Sequence, residues 1–226
     1  MESTQQQFIL LGFSVEDTKL LVAPYASKHK VYLRSYALIL YAYAQEEADY
    51  TSVEKFFNEI CAIFGDKLII GNLGEAVIRT LAQHTKKLGI AESCTGGLLA
   101  HQLTSISGAS AVFDCGIIAY ANDIKQRVLG VDSLNLAQYG AVSEAVVEQM
   151  CDGILRISGA DFALATSGVA GPSASEQKPV GLVFIGVKQR GEKAIIQQCN
   201  FGNLKRAHIQ YLSAQNALAM LLCQMG

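Results

Sequence analysis

The stretch Ala91-Glu92-Ser93-Cys94-Thr95-Gly96-Gly97 places a serine and two glycines between a short apolar segment and a segment rich in leucine. This pattern predicts a buried strand, a tight turn and then a helix. Glycines permit sharp turns and close approach to a ligand, and N–H groups at a helix N-terminus stabilise developing negative charge. The stretch therefore indicates either a serine nucleophile or a serine that only caps the helix, which is a common role for this residue.

Predicted strands and helices alternate on both sides of this turn, which is typical of an α/β layered fold. In chain order we expect a helix over 73–87 that Gly89 ends, a strand into Ala91, a helix from about Gly96, a strand over 112–120, a helix over 123–129, a helix over 143–158 with Ser143 as its N-cap, strands over 160–166, 180–188 and 194–199, and a closing helix over 205–223.

Residues 1 to about 70 differ in composition, since they hold most of the tyrosines and few glycines. Apolar residues at helical spacing predict a helix over 52–64. Short strands are predicted over 8–12 and 67–70. The segment 31–44 predicts one or two strands, although its alanines and leucines leave a helix open. This region is interpreted as a small α+β module.

The composition excludes several classes of protein. The chain has 226 residues, of which 50% are hydrophobic and 17% charged, and its net charge is −2. These values exclude a disordered chain. They also argue against a nucleic-acid binder, because phosphate backbones are bound by concentrated positive charge. A local basic pocket for one phosphate stays open, and the low charge suggests that another subunit covers part of the surface.

The six cysteines form no Cys-x-x-Cys pair, so the zinc pattern is absent and we expect neither a metal nor another cofactor. The polar segment 1–7 does not resemble a signal peptide. Apolar runs such as 36–44 are shorter than the roughly 18–20 residues of a membrane span. We therefore expect a cytoplasmic protein with reduced cysteines and no membrane contact.

Further motifs follow predicted strands or open predicted helices. Strand ends matter because ligands bind at the carboxyl edge of open α/β sheets. Each motif also has an ordinary structural interpretation, such as a surface lysine, a turned Gly-Pro loop or a helix cap. These motifs are YANDIK at 120–125, GAVSE at 140–144, SGVAGP at 167–172 and KPVG at 178–181.

Together with AESCTGG at 91–97, and in this order, the motifs resemble the C-terminal domain of the competence/damage-inducible protein CinA, a family that includes nicotinamide mononucleotide deamidases. The resemblance covers about residues 72–224. Residues 8–70 resemble, less closely, the small KH-type module that precedes this domain in full-length relatives. Their large N-terminal molybdopterin-binding-like domain has no counterpart in this sequence.

The resemblance implies a three-layer α/β/α sandwich with a central mixed sheet, preceded by a small KH-like α+β module. The expected division is a module over 1–70 and a deamidase domain over 71–226. The implied reaction hydrolyses nicotinamide mononucleotide to nicotinate mononucleotide and ammonia, in pyridine nucleotide salvage. The implied nucleophile is Ser93, with Tyr120 and Lys125 as its catalytic partners. The implied substrate-binding residues are Thr95, Gly96, Gly97, Ser167, Gly168, Gly171 and Arg206.

The residue types agree with such chemistry. A hydroxyl must lose its proton to a base before it attacks an amide, and the four histidines lie outside the matched motifs. A lysine base, as in Ser-Lys enzymes, is therefore expected, with Tyr120 relaying a proton or donating one to the leaving ammonia. Backbone N–H groups over 95–97 would hold the oxyanion, and Arg206 would pair with the single phosphate.

Alternatives stay open. Cys94 could be a thiol nucleophile, but it lacks a matched histidine, and free cysteines are commonly just buried. The segment 71–74 has the GXXG spacing of RNA-binding KH modules without a basic flank, so RNA binding is not expected.

The chain also departs from the family at Ala121, in the loop over 173–175 and at Gln210. Relatives usually carry a serine, a glycine-rich stretch and a second arginine at these places. These changes leave open a catalytically weak or inactive nucleotide-binding or regulatory protein. We expect a homodimer or higher homo-oligomer, with the tyrosine-rich module in the interface.

Overall fold

The computed structural model of the chain describes residues 5–45, 50–174 and 178–225. It contains two sheets. The elements of the first are β1 (Gln5–Leu10), α1 (Val15–Lys28), β2 (Val31–Tyr36), β3 (Ile39–Ala44), α2 (Tyr50–Phe64) and β4 (Leu68–Ile70). Its strand order is β2-β3-β1-β4, with every neighbouring pair antiparallel.

The first sheet and its two helices form the small α+β module that the sequence predicts. One face of the sheet packs on α1 and α2, where Phe8 meets the rings of Phe56 and Phe57 edge-on. The β-α-β-β-α-β connections and this strand order are the ferredoxin-like arrangement. The KH-like identity of the module stays a prediction.

The second sheet is built from a longer series of elements. These are α3 (Leu73–Gln83), β5 (Leu88–Glu92), α4 (Leu98–Thr104), β6 (Phe113–Ile118), α5 (Asn122–Arg127), α6 (Ser133–Tyr139), α7 (Glu144–Ser158), β7 (Phe162–Gly168), β8 (Leu182–Gln189), β9 (Ile195–Asn200) and α8 (Arg206–Met225).

The strand order of the second sheet is β6-β5-β7-β8-β9. The first three strands of this order run parallel, and β8 and β9 add antiparallel edges, so the sheet is mixed. Helices α3, α4 and α8 lie together on one face, and α7 covers the other. The predicted three-layer α/β/α sandwich is confirmed.

Two predicted boundaries are wrong. The helix over 73–87 ends at Gln83 instead, because Thr85 adopts a φ of +53° and turns the chain into β5. Gly89 does not end that helix but lies inside β5. A Cβ at Gly89 would come within 2.7 Å of the Ser158 Oγ, so the glycine permits the close packing of α7 on the sheet.

The first sheet turns its second face toward α3 and α8 of the large domain. Ile39 and Tyr41 are buried there in one continuous core with both helices. The Asn216 side chain of α8 accepts a hydrogen bond from the Leu38 N–H at 2.8 Å. The two sheets are therefore joined by apolar burial and by a direct polar contact. Among the helices of the described segments, none is both long and apolar enough to cross a bilayer.

Candidate active site

Ser93 lies directly after β5, at the edge where the parallel strands end. Its N–H donates to the carbonyl of Thr166 in β7 at 3.0 Å, and its own carbonyl accepts from the Gly96 N–H at 3.1 Å. Gly97 follows with a φ of +99°, which lets the chain turn sharply into α4. The sequence prediction of a strand, a turn and a helix is confirmed here.

Glu92, the last residue of β5, holds the far side of this turn. Its buried carboxylate, 1% exposed, accepts N–H bonds from Gly97 at 2.9 Å, Leu99 at 3.1 Å and Ala100 at 2.8 Å. A carboxylate at a helix N-terminus satisfies donors that lack partners and interacts favourably with the helix dipole. Glu92 therefore fixes the loop that carries Ser93.

Lys125 reaches Ser93 from the short helix α5. Its Nζ lies 3.1 Å from the Ser93 Oγ, and it donates to the carbonyls of Ala119 at 2.8 Å and Tyr120 at 3.2 Å. Lys125 is 1% exposed and Ser93 is 9% exposed. This buried pair arises because β5 and β6 are parallel neighbours, so the residues that follow them meet at one sheet edge.

Tyr120 and Arg206 lie at the mouth of the site. The ring of Tyr120 is 60% exposed, and its hydroxyl accepts a hydrogen bond from the Arg206 guanidinium at 3.0 Å. The same guanidinium donates to the Gly171 carbonyl at 2.8 Å. The structure thus brings Lys125 to the backbone carbonyl of Tyr120, whereas the Tyr120 hydroxyl is directed to Arg206 and not to the serine–lysine pair.

Polar side chains hold the loops on the opposite wall of the site in place through hydrogen bonds to backbone carbonyls. The Ser167 hydroxyl donates to the Ala141 carbonyl at 2.7 Å, and Lys178 donates to the carbonyls of Tyr139 at 2.5 Å and Val142 at 2.6 Å. Ser143 precedes α7 as expected, but its side chain makes no cap bond and donates instead to the Gly140 carbonyl. The prediction of a side-chain cap is therefore wrong, because the hydroxyl is oriented to donate to that carbonyl and not to accept from a helix N–H.

Some predicted substrate-binding groups already have partners within the protein. The Gly96 and Gly97 N–H groups bond to Ser93 and Glu92, and the Thr95 hydroxyl shares a 2.8 Å hydrogen bond with Thr166. Within the described residues, the Thr95 N–H group has no protein acceptor, and the Cys94 N–H group interacts with its own thiol. Of the donors expected over 95–97, Thr95 is thus the one left available, and Cys94 is a further candidate nearer the serine.

Gly168 also has a structural reason to lack a side chain. A Cβ at this position would lie 2.6 Å from Val183 and 2.8 Å from the Leu182 carbonyl. The glycine therefore lets β7 and β8 pack closely beside the site.

Cys94 is a poor candidate nucleophile. Burial raises the pKa of its thiol to about 12, so the thiolate is scarce at neutral pH. Its carbonyl accepts a hydrogen bond from the Gln210 side chain at 2.9 Å. Sequence reasoning treated Gln210 only as a departure from the family, and its contact with the nucleophile loop gave no sequence signal.

These residues enclose a cavity of about 200 Å³. Ser93 and Lys125 form its polar floor, and Tyr120 and Arg206 border its mouth. Asn122 and Val142 also line it, and neither was named as a site residue from the sequence. Within residues 5–45, 50–174 and 178–225, no cluster of three histidine, cysteine or acidic side chains is placed to hold a metal ion.

The fold and this site define an α/β protein with a buried serine–lysine pair at the ends of parallel strands. Residues 71–225 match the model of the CinA C-terminal domain, and the chain belongs to that family. A CinA-like protein of Trichormus variabilis is 41% identical over 202 residues, which span 88% of this chain and 48% of that protein. A CinA-like protein of a Nostoc species is 39% identical over 210 residues, which span 88% of this chain and 49% of that relative.

Solved structures support the same assignment. The competence/damage inducible protein CihA of Agrobacterium tumefaciens superposes with a TM-score of 0.65 at 40% identity, covering 66% of this chain and 92% of that one. A CinA superfamily protein of Klebsiella pneumoniae gives a TM-score of 0.66 at 36% identity, covering 68% of this chain and 95% of that one. By contrast, the chain spans about half the length of the two curated relatives.

Proposed function

We propose that this protein is an amidohydrolase that converts nicotinamide mononucleotide and water to nicotinate mononucleotide and ammonia. The observation that carries the proposal is the buried contact of 3.1 Å between the Ser93 Oγ and the Lys125 Nζ. This distance is within the range over which a base removes a hydroxyl proton. The family resemblance supplies the substrate.

In the proposed first step, neutral Lys125 takes the hydroxyl proton as the Ser93 Oγ attacks the carboxamide carbon. Burial disfavours the charged form of an amine, which supports Lys125 in the role of base. The N–H groups of Cys94 and Thr95 would hold the oxyanion of the tetrahedral intermediate. Collapse of this intermediate breaks the C–N bond, and the proton on Lys125 leaves with the amine as ammonia.

The second step releases the acid. Water attacks the ester formed on Ser93, with Lys125 accepting a water proton and then returning it to the Ser93 oxygen. The products are a free serine and the nicotinate carboxylate. Glu92 contributes by holding the loop in place, since it binds three N–H groups of the turn and of α4.

We assign the phosphate end of the substrate to the mouth of the cavity. Arg206 offers a planar fork suited to phosphate oxygens, and it lies beside the exposed ring of Tyr120. We therefore assign Tyr120 to substrate binding with Arg206 rather than to proton relay. The reactive carboxamide would then point down toward Ser93.

A second candidate function is nucleotide binding without turnover. One observation favours it, namely that the Lys125 Nζ already has three acceptors, which is the full complement of an ammonium group. A lysine held charged in this way would stabilise the fold and the bound nucleotide but could not act as a base.

Ammonia release from nicotinamide mononucleotide by the purified full chain separates the two candidates. We expect turnover by the native protein and its loss in Ser93→Ala, with Ser35→Ala in the small module as the matched control. Intact-mass analysis after rapid quench should show the nucleotide acyl group on the native protein only. Binding by calorimetry without any ammonia would establish the second candidate, and equal turnover in Ser93→Ala would refute the nucleophile.

A further inference from the structure

A second and larger groove lies where the small module meets the large domain. Its volume is about 1000 Å³, compared with about 200 Å³ at Ser93. Its walls come from β1, β3 and α2 on one side and from α4 and α8 on the other. No residue lines both cavities, so the groove is separate from the site described above. Clefts between packed units are frequent ligand sites.

The chemistry of the groove differs from that of the cavity at Ser93. The only groups among its lining residues that can carry charge near neutral pH are Glu54 and His101, and no lysine or arginine lines it. A groove without fixed positive charge does not favour a phosphate group. Carboxamide side chains dominate instead, and they are Gln6, Gln7, Asn58, Asn72, Gln102 and Gln215.

Two polar atoms in the groove wall lack partners. The Gln7 Oε1 and the Tyr41 hydroxyl are buried and have no hydrogen bond within the described part of the chain. Gln7 and Tyr41 are directly opposite each other on β1 and β3, so their side chains stand next to each other on one face of the sheet. Each unpaired buried group costs about 1–3 kcal/mol. A hydrogen-bond acceptor and a donor are thus left side by side.

The orientation of the Gln7 amide is fixed by its neighbours. Its Nε2 donates to the Gly71 carbonyl at 2.7 Å and to the Gln215 Oε1 at 2.7 Å. The Gln215 Nε2 in turn donates to the Gln102 Oε1 at 3.0 Å. Reversing the Gln7 amide would set its oxygen against two other oxygens, so the unpaired atom at the wall is the acceptor.

We propose that this groove binds a neutral nucleoside or nucleobase through an edge that carries an N–H group beside a carbonyl group. The Gln7 Oε1 would accept from the ring N–H, and the Tyr41 hydroxyl would donate to the ring carbonyl. Both atoms are shielded from water in this structure, so binding includes a small movement of the side chains that cover them, while the Gln7 amide keeps its orientation. The ligand class follows from the adjacent acceptor and donor and from the lack of a cation for phosphate.

Calorimetry on the full chain with uridine and inosine tests this proposal. Both carry the required edge, and we expect saturable binding of one or both. The matched ligand for uridine is 3-methyluridine, which lacks the ring N–H and should bind at least tenfold more weakly. Uridine monophosphate should bind no more tightly than uridine, and Arg206→Ala should leave uridine binding unchanged, because Arg206 belongs to the other cavity.

Tyr41→Phe supplies the protein control. We expect uridine affinity to fall about fivefold, the equivalent of one hydrogen bond of about 1 kcal/mol. The melting temperature should stay the same or rise, because the hydroxyl that is removed has no partner. Tyr32→Phe, on the exposed ring that stacks on Tyr43, should change neither quantity.

Three results would each overturn the proposal. The first is no saturation by uridine or inosine at their solubility limits. The second is equal binding of uridine and 3-methyluridine. The third is loss of uridine binding in Arg206→Ala together with tighter binding of the monophosphate, which would place the nucleoside in the cavity at Ser93.

Discussion

Replacing Lys125 by methionine separates catalysis from folding at this site. Methionine fills a similar volume but removes the amine that lies 3.1 Å from the Ser93 Oγ. General base catalysis contributes about 10²- to 10⁴-fold. We therefore expect kcat to fall by that factor, which is about 2.7 to 5.4 kcal/mol of transition-state stabilisation.

The effect on the free energy of unfolding should lie near or below the lower end of that range. The change leaves the carbonyls of Ala119 and Tyr120 without their Nζ donor, at about 1–3 kcal/mol each. It also removes a buried amine whose charged form is costly to desolvate. Because the two contributions oppose each other, we expect the free energy of unfolding to change by less than about 3 kcal/mol.

The assay follows ammonia release from nicotinamide mononucleotide and urea unfolding of the same preparations. Lys188→Met is the matched control, because Lys188 on β8 pairs with Asp152 of α7, away from the site. Lys125→Met with kcat within threefold of the native value, in a folded protein, would refute the assignment of Lys125 as the base. A large loss of stability alone would mark Lys125 as a structural residue.

Three further predictions follow. Arg206→Lys should raise KM for nicotinamide mononucleotide about tenfold with less effect on kcat, because a planar fork for the phosphate is lost; an unchanged KM would contradict the phosphate assignment. In the folded protein at pH 8, iodoacetamide should modify exposed Cys61 but not Cys94, whose thiol pKa is raised to about 12 by burial; equal labelling rates would contradict that burial. Hydrogen bonding by Lys86 lowers the pKa of Asp161 below its ordinary value of 3.8. The charged carboxylate therefore stabilises the fold above pH 3.8, and this stabilisation is lost as the pH falls further. Asp161→Asn should therefore cost less than about 1 kcal/mol at pH 7, and the difference in melting temperature should shrink below pH 4; a constant difference would argue against the charge effect.

The parts of the fold with strong periodicity or strong turn signals could be predicted. The helix expected over 52–64 is found as Tyr50–Phe64, and all strands of the second sheet lie close to their predicted places. Helix α1 was missed because it buries only Thr18, Val22 and Ala26 along its length, which gives a weak apolar pattern. Ser14 was the available sequence signal for the start of this helix. It is the N-cap residue, and its hydroxyl accepts from the Asp17 N–H.

The candidate site could likewise be predicted from the sequence only in part. Ser93 and Lys125 could be brought together from sequence, because each follows one of two neighbouring parallel strands. The interactions that tie the site's surroundings could not. The Gln210 side chain, which donates to the Cys94 carbonyl, reaches it from a distant part of the chain, and this leaves no local pattern. The expected homo-oligomer stays a prediction.

Helix α8 contacts all of these regions. It begins at Arg206 beside Tyr120, holds the nucleophile loop through Gln210, and contacts the small module through Gln215 and Asn216. Yet α8 is the last described element in the chain, so a ribosome makes it after both sheets. During synthesis the serine and lysine can therefore meet before the arginine, the loop anchor and the bond to the module exist. The contacts made by α8 are therefore the last ones of the pocket to become available, and a nascent chain stopped before α8 would lack them.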